Sequence, residues 1–224
     1  QDFYRVRIDK TDDAARTISV RHVEPELLEQ EWQVSVDQFR QLDLDHLERC
    51  RAIHTAFERR WRLDERAVIL RHRRELQEFI EPVEALVLAG GHVASLLNRL
   101  KLFDVLGLAA KKAIVAWSAG AMVLTERIVL FHDYPPYGSD IAQVLDAGFG
   151  LAPGIVVLPD PQRRVRLDDR AGIARFAQRM LPATCVAMDC GARVTFADRH
   201  LRDALAMSLS PTGEVEHSWT GKLQ

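Results

Sequence analysis

Cysteine is scarce in this 224-residue chain. There are three, Cys50, Cys185 and Cys190, an odd set without paired metal-ligand spacing. That excludes a disulfide scaffold and a cysteine-rich zinc module, and it suits a reducing, cytoplasmic compartment. Long apolar runs are also missing. None approaches the roughly 20 residues a helix needs to cross a membrane, and no signal-peptide pattern opens the chain. Gln1 rather than methionine stands first, which leaves a segment upstream open. Charge of one sign is not in excess either: 30 Lys and Arg face 32 Asp and Glu, a formal net charge of -2. No global field therefore favours nucleic acid or an anionic membrane, so partners must be argued locally. Repeats and low-complexity stretches are absent, and nothing calls for a cofactor or a metal.

What is present divides at Pro82. Residues 1–82 read as a helical region packing on the same domain as an α/β core over residues 83–224. Phe3 to Ile8 alternates weakly, which fits a short strand or a helix fragment equally. From Glu24, a first-turn Pro25 with Leu27, Leu28, Trp32 and Val36 at helical spacing predicts a helix. Leu44, Leu47, Cys50, His54, Phe57 and Trp61 recur every three or four residues and predict a second, with Asp43 as its cap. His54 reads as a core or boundary histidine, because no second ligand stands at metal spacing. A third helix runs from Asp64 or Glu65 to Pro82. Its basic run, Arg71-His72-Arg73-Arg74, is interleaved with Glu75 and Glu78, a solvated face with local ion pairs rather than a nucleic-acid patch.

After Pro82 the period changes. Ala85 to Ala89, Ala113 to Ala116, Ile128 to Phe131 and Ile155 to Leu158 are fully apolar runs of strand length, with helices predicted over Val93 to Phe103 and from Asp168 or Asp169 to Pro182. Cys185 to Met188 and Arg193 to Phe196 read as a further strand pair, and Ala204 to Leu209 with Val215 to Trp219 as a closing hairpin. Apolar strands alternating with helices predict an α/β fold with a mostly parallel sheet flanked by helices, whose sites collect at the carboxyl ends of strands. With about 80 mostly helical residues ahead of Ala85, either the sheet starts there or a strand lies upstream. An uncovered edge would need the helices or a second copy, as in a homodimer.

The stretch with the clearest chemistry is Lys111 to Arg127, KKAIVAWSAGAMVLTER. A strand runs into Trp117-Ser118-Ala119-Gly120 and then into a helix, so Ser118 sits on a bend with small neighbours, the order of a nucleophile elbow. Ala116 stands where the usual pattern has glycine. Gly90 and Gly91 can bring backbone amides close to a substrate, and the Ala119 amide is a second natural oxyanion donor. Serine also needs a base, ordinarily a histidine held by a carboxylate.

Four segments in order, ALVLAGGHVASLLNRL, VAWSAGAMVLTERIVLFHD, GFGLAPGIVVLPD and CVAMDCGARV, resemble the peptidase E and cyanophycinase group of serine peptidases. The resemblance covers Ala85 to Phe196, roughly half of the chain. It implies a class I glutamine amidotransferase-like fold, Ser118 as nucleophile, Gly90, Gly91 and Ala119 as the oxyanion shell, and Asp133 as the site carboxylate. One departure matters: where that group presents its catalytic histidine, this chain has Pro159-Asp160-Pro161. His132 and His92 are the substitutes in reach of the motif, and Asp160 would be a weak base. The resemblance implies a serine hydrolase acting by acyl transfer on a small peptide or amide. Two alternatives stand beside it: a weakened or inactive member that binds such a ligand, and an amidotransferase-like domain in which Ser118 replaces the usual cysteine. Arg127, Arg163 and Arg164 are positional candidates for recognising an acidic residue.

Overall fold

A computed structural model describes residues 1–131 and 141–220. Helix α1 spans Asp2–Ser19 and buries Tyr4, Ile8, Asp12 and Ala15. Those positions are three or four apart, so the ambiguous start of the chain is an amphipathic helix. Helix α2, Pro25–Trp61, is one continuous element of 37 residues, roughly 55 Å at 1.5 Å per residue. The expected break at Asp43 does not occur. No Gly or Pro stands there to end the helix, and Asp43 is a buried interior position rather than a cap.

Asp43 is held by the partners that burial demands. Arg179 donates through Nε to Asp43 Oδ2 and through Nη2 to Oδ1, both at 2.7 Å, and Tyr4 OH donates to Oδ1 at 2.6 Å. Arg179 Nη1 donates to the Ala142 carbonyl at 2.7 Å, while the Val144 amide donates to Tyr4 OH at 3.0 Å. This network joins α1, α2, the chain around residue 143 and helix α8, Arg170–Met180. Burial pushes the Tyr4 hydroxyl well above the ordinary tyrosine range and Asp43 adds to that, against the opposing charge of Arg179. Burial alone would weaken the Arg179 charge, but Asp43 holds it firmly protonated.

Helix α3 covers Ala67–Ile80. Strands β1 (Ala85–Leu88) and β2 (Ala113–Ala116) pair in parallel, with α4 (Val93–Leu102) and α5 (Val105–Leu108) between them. Helix α6 (Ala119–Leu124) follows β2 directly. Strands β3 (Arg127–Leu130) and β4 (Gln143–Ala147) are antiparallel. The third sheet holds β5 (Ile155–Pro159), β6 (Thr184–Met188), β7 (Arg193–Ala197), β8 (His200–Leu209) and β9 (Val215–Trp219). The short helix α7, Pro161–Arg164, follows β5.

The expected mostly parallel sheet flanked by helices is therefore corrected. Among the described residues there are sheets of two, two and five strands. Only β1–β2 and β5–β6 are parallel; β3–β4, β6–β8, β7–β8 and β8–β9 are antiparallel. The class I glutamine amidotransferase-like sheet that the resemblance implies falls with it. An apolar run does not report the direction of its neighbour, nor always burial on both faces, for Val87 of β1 and Val115 of β2 are exposed. Strand β6 is apolar and buried almost throughout, yet it pairs parallel with β5 on one side and antiparallel with β8 on the other. Strands β6 and β7, expected to pair together, each pair with β8 instead.

Tyr4 and Ile8 of α1 and Phe39 of α2 share one buried cluster with Leu88, Val156, Met180 and Leu209. Only the middle of α2 is buried. Its carboxyl end carries exposed Ile53, Phe57 and Trp61. No helix among the described residues is long and apolar enough to cross a membrane.

Candidate functional site

Strand β2 brings the chain to Trp117, whose amide donates to the Leu88 carbonyl at 3.2 Å and extends the parallel ladder with β1 by one bond. The next residue, Ser118, adopts φ 52° and ψ -128°. Non-glycine residues rarely occupy that region, at a cost of about 1–3 kcal/mol, and they persist there only where the surroundings over-determine the backbone. Helix α6 begins at once. A Cβ on Gly120 would come within 2.1 Å of the Leu88 carbonyl oxygen, so the absence of a side chain is what lets α6 start against β1.

On the other side, a Cβ on Gly90 would sit 3.0 Å from both Cβ and Oγ of Ser118. Gly91 has φ 131°, a conformation that favours glycine. The β1–α4 turn and the β2–α6 bend thus meet at the serine. The backbone amides of Gly90, Gly91 and Ala119 have no acceptor among the described residues. Ser118 is half-buried, Ala119 buried, and Gly90 and Gly91 exposed. Helix α6 has only six residues, so any stabilisation of an oxyanion rests on these amides more than on a macrodipole.

The sequence-predicted bases do not join them. His92 caps α4: its Nδ1 accepts from the Ser95 amide at 3.3 Å and lies 3.3 Å from Ser95 Oγ. Asp160 is exposed, has φ 53° and precedes α7, with its amide donating to the Met188 carbonyl at 3.3 Å. Among the described residues no imidazole or carboxylate hydrogen-bonds to Ser118. His132 and Asp133 lie outside the described residues. Arg127 turns to the Met180 carbonyl at 2.6 Å, and Arg164 lies over the Phe131 ring at 5.9 Å.

Two features had no signal in the sequence. One is the Tyr4–Asp43–Arg179 network, whose members are far apart in the chain. The other is a histidine–aspartate pair: His54 Nε2 donates to Asp146 Oδ2 at 2.7 Å. Strand β4, which carries Asp146, has no clear apolar pattern to announce it. Of the cysteines, Cys190 is exposed, while burial pushes the Cys185 thiol up to about 12 and also raises Cys50. No group of three or more His, Cys, Asp or Glu that could hold a metal occurs among the described residues.

Compared with known proteins, the chain matches no family model and no curated sequence.

Proposed function

We propose that the protein is a serine hydrolase of the acyl-transfer type, with Ser118 as nucleophile and a peptide or amide as substrate. The observation that carries this reading is the backbone of Ser118, an L-residue held at φ 52° against Gly90. A plain strand-to-helix turn needs neither the strain nor the contact. In the reaction, Ser118 Oγ would bond to the substrate carbonyl carbon as its proton passes to a base. The carbonyl oxygen, now negative, would be met by the free amides of Gly90, Gly91 and Ala119. Collapse would expel the amine, which takes up a proton, and water would then hydrolyse the acyl-enzyme. The local resemblance to peptidase E-like serine peptidases supports an amide as the bond attacked.

A second reading is favoured by a specific observation: no described imidazole reaches Ser118, and the Nδ1 of His92 is engaged in capping. On that reading the crevice binds a peptide or small amide without turnover. Labelling with a fluorophosphonate probe decides between them. A covalent adduct mapped to Ser118 by mass spectrometry, and absent in Ser118→Ala, supports the hydrolase. An unlabelled protein that still binds peptide saturably supports the second reading.

A further inference from the structure

The β1–β2 pair turns one face inwards and leaves the other open. Leu86, Leu88, Ile114 and Ala116 pack on the core. The alternate residues, Ala85 and Val87 beside Ala113 and Val115, are exposed, Val87 by 55% and Val115 by 53%. Trp117, which extends the ladder by one bond, is 52% exposed. Successive side chains of a strand point to opposite faces, so these five residues share one surface. A face meant for water carries polar side chains at alternate positions, and parallel strands are ordinarily covered on both sides. This face carries no polar residue, and no element among the described residues buries it.

The charges around it sit at one end. Glu81 and Glu84 precede β1, while Lys111 and Lys112 precede β2, and all but Lys112 are exposed. Lys112 Nζ donates to the Glu81 carbonyl at 2.8 Å. Among the described residues, the side chains of Glu84 and Lys111 have no bonding partner. At the other end, Ala89, Gly90 and Gly91 follow β1 and Trp117 follows β2, none of them charged.

We propose that this face pairs with the same face of a second copy of the chain, the two sheets stacked about a two-fold axis that runs along the strands. That operation lays β1 of one copy over β2 of the other, parallel to it. Val87 then meets Val115, Ala85 meets Ala113, and Trp117 falls at the level of Ala89, large against small. The acidic start of β1 meets the basic start of β2, and symmetry repeats the contact. An axis across the strands would instead lay β1 on β1, antiparallel, with each charged end over an uncharged one. Charge therefore selects the axis, and two residues of each sign are what a self-complementary patch needs. Half-open side chains of this size, with the charged rim, offer on the order of 500 Å2 per copy, about 1,000 Å2 in all, the lower bound for a specific interface. The expected dimer is accordingly weak and reversible.

Sedimentation equilibrium of the full chain over about 1–200 µM should show monomers and dimers in exchange, with a dissociation constant in the micromolar range. Val115→Ser, an exposed position that symmetry counts twice, should weaken association about tenfold or more, with the melting temperature of the dilute monomer unchanged. Lys111→Glu and Glu84→Lys each set like charges opposite one another twice. Each should weaken association about tenfold at low salt, and added salt should shrink the difference. Mixed together, the two charge variants should associate like the parent, because one copy then carries both positive strand starts and the other both negative ones. A variant that merely misfolds is not rescued by another, so mixing separates a contact between copies from a fault within one. The proposal is overturned if the chain stays monomeric at about 200 µM, which would leave the face to another segment or a different protein. It is equally overturned if Val115→Ser associates like the parent, or if the mixture associates no better than either charge variant alone. Ser118 labelling is an independent readout, so failure here leaves the hydrolase reading where it stood.

Discussion

Replacing Asp43 by asparagine keeps the volume of the side chain and removes its charge. Arg179 is 3% exposed, and its guanidinium spends two hydrogen bonds on that carboxylate. In the variant a full positive charge stays in the interior, and an amide NH2 replaces one acceptor with a donor. Breaking a buried pair by removing one partner costs about 3–5 kcal/mol, because the survivor keeps its desolvation penalty and loses the attraction that offset it. For a chain of this size each kcal/mol moves the melting temperature by roughly 2–4 °C, so a fall of about 6–20 °C is expected. Urea unfolding monitored by circular dichroism should show a lower midpoint at an unchanged slope. The double variant Asp43→Leu with Arg179→Met removes both charges and should recover about half of the loss. What it cannot recover is the Ala142 carbonyl, which loses its donor, and the buried Tyr4 hydroxyl, which loses the acceptor of its proton, each at a cost of about 1 kcal/mol. A loss below about 1 kcal/mol in Asp43→Asn, or a double variant no better than the single, would refute the claim that charge compensation and not shape holds this junction.

Gly120→Ala places a methyl 2.1 Å from the Leu88 carbonyl. It should destabilise by about 1–3 kcal/mol, the range for forcing an extra methylene into a packed site, and a melting temperature equal to the parent's would show that α6 can move away. Ser118→Gly relieves a strained backbone and should raise stability by about 1 kcal/mol while abolishing probe labelling; Ser118→Ala loses labelling without that gain. Alkali should weaken the fold in a defined window. The Cys185 thiol titrates at about 12 in the native state, against about 8.5 for a free thiol. The unfolded chain therefore releases this proton first, and stability falls as pH rises from about 8.5 towards 12. Cys185→Ala should flatten that decline in urea titrations between pH 8.5 and 10.5, and an unchanged slope would exclude the thiol as its source.

The local elements of the core were largely legible, because each rests on nearby residues. Apolar runs mark β1, β2 and β5, bounded by Pro and Gly at β1 and β5 and by Lys111-Lys112 at β2, and small residues around Ser118 mark the bend. Sheet direction was not legible. The residues that decide it for β6 are those of β8, about twenty positions downstream, and nothing in Cys185 to Met188 specifies which neighbour it meets. The length of α2 escaped for a related reason. Asp43 is a good cap by type, and Tyr4 and Arg179, 39 and 136 residues away, make it an interior residue. His54 shows the same limit. Its spacing placed it correctly on the helical stripe of α2, but Asp146, which turns a boundary histidine into an oriented one, sits on a strand the pattern does not reveal.

The elbow divides along the same line between what is local and what is not. Backbone strain at Ser118, the contact with Gly90 and the room at Gly120 come from three short segments that pair through β1 and β2, so residue types and order were enough to find them. A base has to arrive from another part of the chain. Asp160, standing where the group that the motifs resemble has its histidine, is exposed and makes no bond to the serine, and His92 is drawn into its own helix cap. On the proposed reading, three free amides with no described base would still make a directional binding site. Those amides would donate to the carbonyl oxygen of a peptide or amide whether or not Ser118 turns it over. That is why covalent labelling, which needs an activated hydroxyl, discriminates between the two readings, and why measuring affinity alone would not.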